Sequence, residues 1–139
     1  MRIPENLYAS IWPVIPIICV DLVIRNPENH FLLVKRANYP LKDEWWVPGG
    51  RVLHSETVLD AARRKAKEEL GMALDDLTFF GFFEETFDID CRGEDTSYHT
   101  ISLVYEAKVS AEEIINLDSQ SSDHTWAAAL PRKFIVQES

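Results

Sequence analysis

The sequence predicts an α+β fold: a mixed β-sheet packed with helices, one of which dominates. Three observations predict it. Short segments rich in β-branched and aromatic residues recur between turn clusters, as strands do. Only one stretch, "SETVLDAARRKAKEELGM" (55–72), carries sustained helical periodicity. The composition, 139 residues with 46% hydrophobic and 27% charged, is that of one ordinary globular domain. No repeat, low-complexity tract or linker divides it, so residues 1–139 are expected to form one domain.

Taken in order, residues 1–12 read as a short helix or arm. "VIPIICVDLVIRN" (14–26) and "FLLVKRA" (31–37) flank the turn cluster "NPENH", so 14–37 reads as a β-hairpin. "EWWVPGG" (44–50) is a short strand stopped by Pro48, after which Gly49 and Gly50 free the backbone. In the helix, Ser55 is the candidate start cap, Gly71 the end, and Leu59, Ala62, Ala66 and Leu70 form the apolar stripe. Two strands, 77–89 and 98–110, surround the loop "DCRGEDTS". A last strand is expected at 122–129 and a short helix at "LPRKFIV" (130–136).

Charge and cysteine usage exclude several classes. A net charge of −9 repels a phosphate backbone, which argues against nucleic-acid binding. A phosphorylated small molecule remains open, because a bound divalent cation inverts the local field. The apolar run at 11–24 is too short to span a membrane and is interrupted by Pro13, Pro16 and Asp21. Cys19 and Cys91 form no CxxC pair, and free thiols fit a reducing compartment. With no basic, apolar leader at the start, a cytoplasmic location is expected.

The chemistry lies on the helix. At about 100° per residue, Glu69 falls roughly 65° from the centre of the apolar stripe and borders the core. Glu68 lies on the other side. Lys65 and Arg64 stand one turn before Glu69 and Glu68, as in two surface ion pairs. A carboxylate at a core border is costly unless it is paired or holds a metal. From Gly50 the chain reads five residues to Glu56, seven more to Arg64, then Lys65, Ala66, Lys67, Glu68, Glu69, Leu70, Gly71 and Met72. This closely resembles the Nudix box, G-x5-E-x7-R-E-U-x-E-E-x-G-U with U apolar, at every defined position but one. The exception is Lys65, where the box has its first clustered glutamate.

The resemblance implies the Nudix fold and a divalent ion, Mg²⁺ or Mn²⁺. It makes the Gly50 carbonyl, Glu69 and then Glu68 metal ligands, with Glu56 and Arg64 holding the loop to the helix. Lys65 implies fewer metals, and a single ion is expected. "VDLVIRN", "FLLVKRANYP", "WWVPGGRVLHSET" and "LDSQSSDHTW" are similar to the GDP-mannose mannosyl hydrolase branch, which cleaves at sugar C1 and releases GDP. That likeness implies that Arg36 and Arg51 face the diphosphate, that Gln120 is a metal ligand, and that Asp21 and Tyr8 meet the sugar nucleotide. It also implies a homodimer. Asp21 reads equally as a satisfied core group, and Tyr8 as packing. The branch carries a histidine base after the glutamine, and here that position is Ser121. His124 is the candidate replacement, histidine being a side-chain type suited to base work near neutral pH. His99 is a further candidate; His30 and His54 lie in turn-like segments. Two other readings stay open: a pyrophosphohydrolase attacking phosphorus, and a sugar-nucleotide binder without turnover.

Overall fold

The computed structural model describes residues 3–39, 41–90 and 92–138. They form α1 (Glu5–Ile11), β1 (Ile17–Arg25), β2 (Phe31–Arg36), β3 (Trp45–Trp46), β4 (Gly49–Arg51), α2 (Val58–Leu70), β5 (Thr78–Phe87), β6 (Tyr98–Lys108), β7 (Ser121–Ala127) and β8 (Gln137–Glu138). The α+β expectation holds. One mixed sheet runs β3-β2-β1-β6-β5-β8, with β4 paired to β1 and β7 to β2.

β1 is the axis of the sheet. It pairs in parallel with β6 from Ile17↔Thr100 to Arg25↔Lys108. Its other edge takes β4, through Cys19↔Arg51, Val20↔Gly50 and Asp21↔Gly49. A strand enclosed on both edges and both faces reads as an apolar run, and Leu22, Val23 and Ile24 are each at most 1% exposed. Alternation sends Val20, Leu22 and Ile24 to the α2 side, against Ala62, Ala66 and Leu70. Val23 faces the other side, with Leu33, Trp46, Phe83 and Phe134. Small alanines on α2 let the helix lie close to the sheet.

The structure corrects four expectations. The 14–37 segment turns tightly at Asn26, whose side chain accepts from the backbone of Glu28 and His30. Its strands meet only at Arg25↔Phe31. β4 occupies the edge of β1 that a full hairpin would need, and β2 pairs with β3 and β7 instead. Thr57, not Ser55, caps α2, its hydroxyl accepting from Asp60 N at 3.1 Å. Ser55 sits at φ 65 in the loop. Leu59 is only partly buried, and the buried stripe runs through Ala61, Lys65 and Glu69 as well as Ala62, Ala66 and Leu70. Finally, residues 130–136 contain a turn and no helix, and β8 follows, so β7 is not the last strand.

Gly71 ends α2 in the left-handed conformation, φ 69, as expected. Cys19 is a free thiol, and Cys91 lies outside the described residues. Among the described residues no helix is long and apolar enough to cross a membrane.

Candidate active site

A cleft opens on the sheet face opposite α2. Cys19 and Asp21 of β1, Thr100 and Ser102 of β6, and Glu85 of β5 line it, because each occupies an alternate position facing that side. Arg36, at the end of β2, and Arg51, in β4, line it too. Gly49, Gly50 and Gln120 form the seam between this cleft and the acids of α2.

The electrostatics follow from burial. Asp21 is 7% exposed, and desolvation pushes its carboxyl up to about 7 against the pull of the Ser102 hydroxyl and Arg36. Glu69 and Glu85 push the same way. Glu85 is also raised, again chiefly by burial. Arg51 stacks over Tyr8, its guanidinium carbon 4.2 Å from the ring centre. The Tyr8 hydroxyl is 3.1 Å from that of Tyr98, and its ring meets Trp12 edge-on at 4.8 Å. α1 therefore serves to seat Arg51.

Behind the glycines, the first turns of α2 are tied to the loop before them. Arg64 donates to both oxygens of Glu56, at 2.7 and 3.0 Å, to the Arg51 carbonyl at 2.9 Å and to Glu68 at 3.1 Å. Glu56 also accepts from Leu53 N at 3.0 Å. The expected loop-to-helix role of Glu56 and Arg64 is thus what these bonds perform.

Lys65 departs from a surface pair. Its ammonium is 3.2 Å from Gln120 Oε1 and 3.9 Å from a carboxylate oxygen of both Glu68 and Glu69. Lys65 and Glu69 are each 2% exposed. Burial pushes the Glu69 carboxyl up to about 7, while Lys65 and the Gly49 N–H draw it down. Glu69 accepts from Gly49 N at 3.1 Å and from the Ser121 hydroxyl at 3.4 Å.

The sequence points to the Gly50 carbonyl as a metal ligand, and the ladder corrects this. Leu22 N donates to the Pro48 carbonyl and Val52 N to that of Ile18. Hydrogen-bonded pairs alternate along an antiparallel ladder, so Gly50, opposite Val20, turns its peptide groups to β1. Gly49 turns its own toward Glu69.

Among the described residues no three His, Cys, Asp or Glu side chains converge as a metal cluster. The oxygens around the Lys65 ammonium are nonetheless a hard-cation donor set: two carboxylates and an amide, with the Gly49 peptide beside them. The ammonium stands there as a cation, and the set fits one divalent ion in its place.

Of the residues singled out from sequence, Arg36, Arg51, Asp21, Gly50 and Gln120 meet in the cleft, Glu68 and Glu69 lie behind the seam, and Tyr8 supports Arg51. His124 does not join them. The β2–β7 ladder shifts register between Lys35 and Arg36, after which His124 pairs with Val34 and shares the α2-side face of Trp126. It is exposed and away from the cleft. His99 pairs with Glu84 at 2.8 Å on the exposed side of β5–β6. The sequence reading missed Glu85, Thr100 and Ser102; alternation along β5 and β6, anchored on buried Phe83 and Val104, is the signal that finds them.

A family model described as the NUDIX domain matches residues 16–130. The chain belongs to the NUDIX family. It is similar to the low-salt glycan biosynthesis protein Agl8 of Haloferax volcanii, 38% identical over 122 residues, 87% of this chain and 76% of that protein. It is similar to the ADP-ribose pyrophosphatase of Methanocaldococcus jannaschii, 36% identical over 99 residues, 71% of this chain and 54% of that enzyme. Among solved structures, a MutT NUDIX hydrolase from Burkholderia pseudomallei is 26% identical and superimposes with a TM-score of 0.70, covering 87% of this chain and 91% of that one. Nudix hydrolases use divalent metals such as Mg²⁺ or Mn²⁺, and this chain is a Nudix hydrolase domain.

Proposed function

We propose that the protein hydrolyses a nucleoside diphosphate sugar of the GDP-mannose type, water attacking sugar C1 to release GDP and the free sugar. The observation that carries this reading is that Arg36 and Arg51 share one cleft with the buried carboxyl of Asp21 and the half-buried one of Glu85. Glycosyl transfer to water needs a base to take the water's proton, a role a carboxylate can fill, and a leaving group that accepts an electron pair. A diphosphate is a good leaving group without protonation, so one base suffices.

Asp21, on the most enclosed strand of the sheet, takes that proton as the new C1–O bond forms. The old C1–O bond breaks, and its electron pair stays on the diphosphate oxygen. Arg36 and Arg51 neutralise that oxygen; charge-assisted, bidentate contacts of this kind strengthen as the charge develops. Glu69, Glu68, Gln120 and the Gly49 carbonyl are the groups that would hold a Mg²⁺ or Mn²⁺ ion, which would supply positive charge to the diphosphate side of the cleft. The resemblance behind this reading also carries a homodimer, which sedimentation of the full chain tests, and a cytoplasmic location, which fractionation of cells tests.

A second reading, attack at phosphorus, is favoured by the likeness to an ADP-ribose pyrophosphatase. Hydrolysis of GDP-mannose and ADP-ribose in H₂¹⁸O with Mg²⁺ separates the two. Label in the free sugar supports attack at carbon. Label in a nucleotide or sugar phosphate sinks that mechanism. Binding of GDP-mannose without any product would leave a sugar-nucleotide binder.

A further inference from the structure

We infer that Lys65 is a tethered cation: its ammonium holds the acid cluster of α2 closed to a free divalent ion and yields the place only when a diphosphate arrives with the metal. This rests on reading Glu69 and Gln120 as cation ligands. Two segments, α2 and the stretch that ends at Gln120, bring three oxygens to one point, and the ammonium is already there, 3.2 Å from Gln120 Oε1 and 3.9 Å from both Glu68 and Glu69. Its place is built rather than incidental. The lysine side chain is 3% exposed, and it lies against Gly50 so closely that a Cβ there would meet Lys65 Cε at 2.6 Å and Nζ at 3.0 Å. Gly50 thus gives the lysine its room.

A divalent ion cannot share those oxygens with an ammonium a few ångströms away, because like charges at that distance repel strongly in a site screened from water. The lysine stem is flexible and its charge is a point, so it can withdraw where a guanidinium would be held by its fork. A diphosphate lining up with Arg36 and Arg51 brings new oxygen ligands and negative charge to the open side of the seam, which favours the metal over the ammonium. The chain thereby couples metal occupancy to substrate.

Electron paramagnetic resonance of Mn²⁺, with and without GDP, tests this on the full chain. Wild type is compared with Lys65→Met, Glu69→Gln and the double variant. The expected result is that Mn²⁺ alone binds Lys65→Met at least tenfold more tightly than wild type. GDP should tighten Mn²⁺ binding more in wild type than in Lys65→Met, and Glu69→Gln should abolish the gain. If wild type and Lys65→Met bind Mn²⁺ alone equally, and Glu69→Gln weakens both, the tethered-cation role is overturned while the ligand assignment stands. If no variant binds Mn²⁺ even with GDP, both are overturned. Should Lys65→Met fail to fold, Lys65→Gln keeps a hydrogen-bond donor toward Gln120 and allows the same comparison.

Discussion

Arg64 reaches back eight positions to close two hydrogen bonds on the Glu56 carboxylate, at 2.7 and 3.0 Å. The pair is mostly buried, with side chains 18% and 15% exposed, and it fastens the loop after Arg51 to α2. The Arg64 guanidinium holds the Glu56 carboxyl below the ordinary 4.5. A depressed folded-state value means that the stability it confers is present above about pH 4.5 and is lost as pH falls through that lower value. Glu56→Gln should therefore destabilise the protein at neutral pH, by about 1–3 kcal/mol. It should also flatten the loss of stability on acidification. Urea denaturation at pH 7 and pH 4 reads both effects; equal acid slopes in the two proteins would refute the assignment.

Arg36 and Arg51 face the same cleft from β2 and β4. Each is expected to act mainly on the developing charge of the diphosphate. Arg36→Met and Arg51→Met should each lower kcat by roughly 10²–10³-fold, the usual effect of deleting one such donor. Tyr8→Ala should weaken the Arg51 contribution by removing the ring beneath it, and Tyr8→Phe should retain most of it. Steady-state kinetics on GDP-mannose with circular dichroism of each variant provides the check.

Asp21 and His124 make opposite predictions. Asp21→Asn should cost roughly 10²–10⁴-fold in kcat, as expected for losing a base. His124→Ala should leave kcat within about twofold, since its ring stands on the α2 side of β7, away from the cleft. A large loss in His124→Ala with Asp21→Asn active would reverse the two roles.

Gly71 caps α2 at φ 69, where a Cβ would also stand 3.0 Å from that of Asn116. Gly71→Ala should lower stability by about 1–2 kcal/mol, from the left-handed backbone and the tight contact together. A thermal melt reads it, and an unchanged melting temperature would contradict the cap.

How far the site is legible in sequence depends on whether a residue's neighbours are local. Glu56, Arg64, Glu68 and Glu69 share one loop and helix, so their spacing alone places them. Gly49 and Gly50 differ by one position, and only the ladder to β1 tells which peptide faces Glu69. His124 was out of reach for a similar reason: the register shift beside Arg36 reverses the face on which β7 side chains emerge. Glu85, Thr100 and Ser102 look like ordinary strand residues until the parallel pairing of β6 with β1 sets them around Asp21. Lys65 is visible in the motif as a departure, but its hydrogen-bond partner Gln120 lies 55 positions away.

β1 is paired along both edges, whereas Gln120 arrives at the end of a stretch, 109–120, that contains neither helix nor strand. The two halves of the cleft should consequently open on different clocks. Amides of β1 around Asp21 should exchange with solvent only when the whole domain unfolds. Those near Gln120 should exchange through a smaller, more frequent excursion of that segment alone. Such an excursion would move the oxygen facing Lys65, and the Arg36 end of β2 that Gln120 and Ser121 pair with, while β1 keeps Asp21 in place.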